Sequence, residues 1–345
     1  MSGVHYLPIP QYFDRTRVGE VWRVAYETRA SEAHDWAQQH GIEPAASDEY
    51  RLCLLLIDCQ NTFCVPEFEL FVGGRSGKGA VEDNIRLCEF IYRNLSAITE
   101  IVPTMDTHTA IQIFHPIFWV NEAGEHPVGA RTVITPDDLE RGVWRINPDI
   151  VGTGENGGEW LQAHANHYVR QLGEGRYPLM VWPYHALLGG IGHALVSSVE
   201  EAIFTHSIAR CARPRFEVKG GNPLTENYSV LSPEVCDGPD GQRIAAKNTA
   251  LIDHLLGFDV VVVAGQAKSH CVAWTVHDLL SEIRARDPQL AHRVYLLEDC
   301  TSPVVVPGVV DFSEPANAAF REFAEAGMHC VQSTRSLVSW PGVST

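Results

Sequence analysis

Six short apolar runs alternate with segments of helical spacing, and this alternation constrains the fold more than anything else in the chain. The runs are LCLLLI from Leu52, ITEIVPTM ending at Met105, RFEVK ending at Lys219, DVVVVA ending at Ala264, RVYLLED from Arg293 and MHCVQ from Met328. LCLLLI and VVVVA are apolar at consecutive positions, so neither has a polar face to offer water. Such strands belong inside a sheet covered on both sides. Between the runs lie VEDNIRLCEFIYRNL from Val81, HALVSSVEEAIFTHSIAR from His193, KNTALIDHLL, HCVAWTVHDLLSEIRAR and EPANAAFREFAEAG ending at Gly327. Strand–helix alternation of this kind predicts an α/β fold of three layers: a mostly parallel six-stranded sheet with helices on both faces.

Two regions stand outside that pattern. Residues 1–49, with a helix expected around Val21 to His40, read as an N-terminal arm, and a neighbouring subunit is the expected place for it to pack. Residues 50–345 read as the main domain. Within it, residues from about 118 to 180 are polar and rich in Gly and Pro, an insertion over the sheet with short helices such as EWLQAHANHYVRQL.

The 345 residues carry a formal charge of −17, which argues against nucleic acid or an anionic membrane as partner. There is no apolar run long enough for a membrane span, and MSGVHYLPIPQYFDRTR does not read as a secretory signal. The nine cysteines are irregularly spaced and include no CxxC pair, so neither a thiolate zinc site nor a disulfide framework is expected. A reduced, cytoplasmic protein is the expectation.

In a parallel sheet the chemistry lies beyond the carboxyl ends of the strands. Asp58 follows LCLLLI, Asp106 and His108 follow the second run in MDTH, Lys219 ends RFEVK, and Cys271 lies just past VVVVAG. Taken singly, an aspartate there more often caps a turn, a lysine is solvated and a cysteine packs. Together they bring an acid, an Asp/His pair, an ammonium and a thiol toward one edge. A carboxylate can take a thiol's proton, and an ammonium can stabilise the thiolate. Cys271 at a helix start also gains backbone N–H groups for an oxyanion. Asp106 and His108 need a further metal ligand. His185 in VWPYHAL is the first candidate and His115 in FHP the second; mixed carboxylate and imidazole ligands suit Zn, Fe or Mn.

These motifs resemble the isochorismatase-like cysteine hydrolases and, within them, the nicotinamidases, over roughly residues 50–336. LLLIDCQNTFC is similar to the family's strand with the catalytic Asp58, although Thr62 stands where a second Asp is usual. MDTH matches its metal-binding D-x-H, and WPYH its W-P-x-H, with His185 as ligand and Trp182 as a stacking wall. EVKG matches the strand of the catalytic lysine, TENYSV the Y-S motif at Tyr228, and AGQAKSHCV the nucleophile turn, with Lys268-Ser269 in place of Thr-Asp. The resemblance implies a Rossmann-like sheet and a divalent metal, zinc first, that holds the pyridine nitrogen. It also implies a cis peptide between Gln266 and Ala267, an oxyanion hole from the N–H groups of Ala267 and Cys271, and homo-oligomers. Phe63 and Trp182 would sandwich an aromatic ring, with Tyr228 beside it. The implied activity is hydrolysis of nicotinamide to nicotinate and ammonia through a thioester at Cys271. Another small amide, ureido or imide substrate is the alternative, and a non-catalytic ligand-binding module is the third.

Other matches carry less. GTGENG at Gly152–Gly157 satisfies a dinucleotide pattern but follows the proline-broken NPDIV rather than a buried strand. GGRSGKGA has the wrong glycine spacing for a phosphate loop. Glu298-Asp299, at another strand end, reads as a cap or salt bridge.

Overall fold

The computed structural model describes residues 6–153, 157–175 and 177–343; residues 154–156 of the GTGENG stretch lie outside it. The chain forms two compact units. The first comprises Met1–Met105, Ala194–Glu217 and Thr249–Thr345, the second Asp106–His193 and Val218–Asn248.

The main sheet has six strands: β1 (Leu52–Ile57), β2 (Glu100–Asp106), β3 (Glu217–Lys219), β4 (Val260–Gly265), β5 (Val294–Leu297) and β6 (His329–Val331). Their spatial order is β6-β5-β4-β1-β2-β3. The β1–β2, β1–β4, β4–β5 and β5–β6 pairings are parallel. Every residue of β1 and β4 is buried, so both faces of the sheet centre are covered, as their unbroken apolar runs demand. Leu52, Leu54 and Leu56 pack with Val260, Val262 and Ala264 and with helix residues such as Leu87, Ile91, Val199 and Ile203 in one core. This is the expected α/β architecture.

Residues 6–49 pack within the first unit itself. Helix α1 (Tyr26–His40) lies against α4 (Ser197–Ala209). Arg29 of α1 donates to Glu201 of α4 over 2.9 Å, both side chains buried, and the Trp22 N–H donates to Ser197 Oγ at 2.9 Å. The expected helix from Val21 begins five residues later, at Tyr26. Between α1 and α4 in sequence come α2 (Gly79–Arg93) and α3 (Gly158–Glu174). After α4 come α5 (Thr249–Leu256), α6 (Ala273–Arg286) and α7 (Ser313–Glu325).

The stretch expected as an insertion has a core of its own in the second unit. Leu161, Ala165, Tyr168, Val169 and Leu172 recur at helical spacing along one face of α3. They pack with Phe114, Phe118, Trp119, Ile134, Leu179, Val181 and Val235. Two antiparallel ladders, Trp119–Val120 with Arg145–Ile146 and Val133–Ile134 with Leu179–Met180, close this unit. No helix among the described residues is long and apolar enough to cross a membrane.

Gly265 closes β4 at φ +113°, a backbone region that disfavours side chains, and a Cβ there would lie 2.1 Å from Ile57 O and 2.7 Å from Ile57 N. The ends of β1 and β4 can approach this closely only over a glycine. Gly265→Ala is expected to cost about 3 kcal/mol or more, read as a drop in the urea midpoint at unchanged m-value. A variant within 1 kcal/mol of wild type, about the effect of an ordinary substitution, would contradict this close approach.

His206 of α4 is buried and its Nε2–H donates to Ile98 O at 2.8 Å. Burial pushes its pKa from 6.5 down to about 4, so the folded chain keeps it neutral. Its contribution is complete above pH 6.5 and is lost as the pH falls through that window toward about 4, where the unfolded chain binds the proton first. Wild type is expected to lose up to about 3 kcal/mol more than His206→Gln over that range in urea titrations. Equal losses would show that the imidazole is not held neutral.

Candidate functional site

In the first unit, Asp58 directly follows β1, fully buried and at φ +47°. Thr104 of β2 holds it twice: the Asp58 N–H donates to Thr104 Oγ1 at 3.0 Å, and the same hydroxyl donates to Asp58 Oδ1. The carboxylate therefore has a fixed orientation before any substrate arrives.

On the neighbouring strand, β4 gives way to the turn that carries Cys271. The Gln266 N–H donates to Ile57 O at 2.8 Å, the Gln266–Ala267 peptide is cis, and Lys268–Val272 form a π-helical turn running into α6. Cys271 sits in that turn, 9 % exposed. The His270 and Val272 N–H groups both donate to Ala267 O, so the turn is tightly wound. A thiol at the strand-to-helix junction and a carboxylate at the end of the adjacent parallel strand are thus both in this unit.

Three side chains of the turn tether it outward. Gln266 Nε2 donates to Asp83 Oδ2 of α2 at 2.9 Å, and Gln266 Oε1 accepts from the Ser302 N–H. Ser269 Oγ accepts from the Val304 N–H at 3.0 Å. The buried Lys268 ammonium reaches Asn317 Oδ1 at 2.9 Å and Glu298 Oε1 at 3.3 Å, and lies over the Phe320 ring. Lys268-Ser269, the pair that departs from the family's Thr-Asp, therefore anchors the turn from behind. Glu298 is the salt-bridge partner its strand-end position suggested. Phe63 lies in the short helix Asn61–Cys64 of this unit, half-buried.

In the second unit, Asp106, His108 and His185 come together, with one ligand atom from each lying within 4.8 Å of the others, all buried. His108 Nε2 is 2.8 Å and His185 Nε2 3.5 Å from Asp106 Oδ2. Each imidazole turns its other nitrogen to a backbone carbonyl: His108 Nδ1 to Gly220 O at 3.2 Å, His185 Nδ1 to Pro183 O at 2.7 Å. A carbonyl only accepts, so both Nδ1 atoms carry the proton and both Nε2 atoms present lone pairs. Two imidazole nitrogens and a carboxylate oxygen gathered within 4.8 Å of one another form a ligand set that suits a divalent cation. The carbonyl partners are the outer contacts that orient metal-binding histidines. The residues present fit a metal.

Lys219 at the end of β3 donates to Asp106 Oδ1 at 2.9 Å and to Asn227 O at 2.8 Å, which leaves Oδ2 to the imidazoles. Burial opposes the charge on Asp106, but the positive charge of Lys219 helps to hold the carboxyl well below the usual range. Burial also lowers His185. Gly220 allows the cluster to close: at φ +83°, a Cβ there would fall 2.6 Å from His108 Cε1 and 3.1 Å from Asp106 Oδ1. His115 stands beside the cluster, its ring 5.9 Å from His108 and 5.7 Å from His185, with Nδ1 on Ala110 O. Its Nε2 is buried without a hydrogen-bond partner, and burial drives its pKa down to about 3. Trp182 Nε1 donates to Tyr228 Oη at 3.2 Å.

Thr104, Gln266, Lys268 and Gly220 do positioning work that the sequence reading did not assign. Only the glycine after Lys219 and the odd polar pair in the turn left a trace there.

No protein-family model and no curated protein matches the chain. Solved structures similar to it include the nicotinamidase/pyrazinamidase of Acinetobacter baumanii (17% identity, TM-score 0.48, covering 84% of this chain and 99% of that one). They also include the yeast nicotinamidase Pnc1p bound to the inhibitor nicotinaldehyde (19%, 0.48, 81% and 99%) and the Pyrococcus horikoshii pyrazinamidase in complex with zinc (18%, 0.43, 82% and 99%). At these identities and TM-scores, substrate and chemistry are left to the residues themselves.

Proposed function

We propose that the chain is a metal-containing cysteine amidohydrolase that converts nicotinamide to nicotinate and ammonia through a thioester at Cys271. The observation that carries this reading is Cys271 in a tethered turn at the end of β4, with the buried, Thr104-oriented Asp58 at the end of the adjacent β1. Packing alone does not call for a buried carboxylate with fixed orientation beside a thiol-bearing turn.

In the proposed reaction Asp58 takes the Cys271 proton as Sγ attacks the amide carbon. The N–H groups of Ala267 and Cys271 receive the oxyanion. Collapse breaks the C–N bond, and Asp58 returns the proton to the leaving ammonia. Asp58 then takes a proton from water as its oxygen attacks the thioester. The C–S bond breaks, and the proton returns to sulfur. On this reading Lys219 would supply positive charge to the thiolate and to Asp58. Asp106, His108 and His185 would hold a divalent metal, zinc before iron or manganese. When bound, such an ion would supply a Lewis-acid centre for a ring nitrogen or a water. On this reading Phe63 and Trp182 would be the walls for the ring, with Tyr228 beside it.

The test is ammonia release from nicotinamide, with mass spectrometry of the acid-quenched protein for an acyl group on Cys271. Release with a mass gain on that residue is the expected result. Turnover of nicotinamide with no adduct under single-turnover conditions would remove the thioester. Turnover of other amides, ureido compounds or imides in place of nicotinamide would move the substrate and keep the chemistry.

A further inference from the structure

Three buried polar residues lead into Cys271: Lys268, Ser269 and His270. The first of them is held at both its backbone and its side chain. The Lys268 N–H donates to Ser302 O at 2.8 Å. Its ammonium donates to Asn317 Oδ1 at 2.9 Å and to Glu298 Oε1 at 3.3 Å, and stands 4.3 Å from the centre of the Phe320 ring. Asn317 and Phe320 are spaced i, i+3 on α7, so one face of that helix takes both contacts. Glu298 directly follows β5. Every one of these residues belongs to the first unit. An ammonium is costly to bury, and packing against Phe320 alone would be met by a methionine or a leucine. Here two acceptors and a ring face offset that cost, and they fix the head of the side chain as well as its stem.

We infer that Lys268 is a positioning residue, whose ties to α7 and Glu298 set the place of the Cys271 sulfur and backbone N–H beyond the end of β4. The inference rests on the reading of Cys271 as the nucleophile under the function above. The turn is wound on one point, since the His270 and Val272 N–H groups both donate to Ala267 O. Lys268 directly follows Ala267, so what fixes it fixes the start of the winding that leads to Cys271. Further along, Ser269 Oγ accepts from the Val304 N–H at 3.0 Å, and the His270 ring meets the Phe312 ring edge-on, centroids 4.9 Å apart. Those two contacts hold the turn to the segment before α7, whereas Lys268 ties it to α7 itself. Threonine, which the resembled motif carries here, has no atom that reaches the place of the ammonium. The tie to α7 is therefore this chain's own.

The test uses the full chain, with kinetics on nicotinamide and peptide mass spectrometry of Cys271 after pulses of iodoacetamide. Lys268→Met keeps a stem over Phe320 and removes the donors. It is expected to lower kcat about 10²-fold with KM changed less than about threefold, as a displaced reacting atom does. The pH at which Cys271 alkylation is half-maximal should rise by about one unit. Asn317→Leu, at a half-buried site, is expected to lower kcat about tenfold alone and to add nothing in the Lys268→Met background. A Lys268→Met protein with wild-type kcat and alkylation midpoint overturns the positioning role, whatever its melting temperature. If Lys268→Met does not fold, Asn317→Leu decides: a wild-type kcat and midpoint there overturn the role. Losses that simply add in the double variant overturn the tie through Asn317. A wild-type protein that hydrolyses no amide overturns the proposed function instead, and the alkylation midpoint still decides the role of Lys268.

Discussion

Cys271→Ala is expected to abolish ammonia release from nicotinamide, by on the order of 10⁴-fold or more, in a protein that still folds. The size of the loss follows from the proposed covalent route. Without sulfur there is no thioester, and the remaining oxyanion donors and ring walls can only help water attack a bound amide directly. Survival of the fold follows from how the turn is held. Its tethers are Gln266 to Asp83 and Ser302, Ser269 to Val304, and Lys268 to Asn317 and Glu298. None passes through the sulfur. The truncation removes one small buried atom, at a cost of about 1 kcal/mol. Melting temperature and ammonia release measured on the same preparation separate the two effects. Full turnover by the variant would exclude covalent catalysis at this position. Asp58→Asn should lower turnover by about 10²- to 10⁴-fold, because it removes the proton carrier while sparing the nucleophile.

Iodoacetamide labelling gives an independent handle. A Cys271 that reacts well below the ordinary cysteine pKa of about 8.5 marks an activated thiol. Ordinary titration would favour a binding protein built on this fold.

The sheet was legible because its strands announce themselves chemically. LCLLLI and VVVVA have no polar face, so burial on both sides was the only outcome, and all their residues are buried. The pairing of Asp106 and His108 was legible for a related reason, because a strand end aims its following residues at one place; His185 stood out over His115 through the resemblance of WPYH to a W-P-x-H motif. What escaped notice was long-range and carried by ordinary residues. Thr104 is one apolar-looking threonine in a strand until the fold places its hydroxyl on Asp58. The core of the second unit escaped because its apolar residues are scattered among Gly and Pro from Ile113 to Val235. Only α3 shows periodicity, and its partners come from Phe114, Val181 and Val235. Residues 1–49 read as an arm because α1 is mostly polar. Its contact with α4 includes Arg29 with Glu201, a charged pair whose residue types usually lie at the surface, and the Tyr26 and Phe204 rings.

His185→Ala is expected to weaken divalent metal binding by more than about 100-fold and to take activity down with it. Wild-type protein should carry close to one ion per chain by elemental mass spectrometry, and the variant almost none after dialysis. The choice of ligand matters to the interpretation. His185 can be removed with the Lys219–Asp106 bond intact, so the fold keeps its buried charge pair. Asp106→Ala would strip a buried ammonium of its carboxylate, and the resulting cost of about 3–5 kcal/mol would confound metal loss with unfolding. His185→Ala with an unchanged melting temperature in chelator, and without the metal-dependent rise seen for wild type, isolates the ligand role. A variant that retains one tightly held ion would show that the Nε2 atoms of His108 and His185 gather at Asp106 for some other reason. The case for a metal among these three acceptors would then fail, whatever the activity.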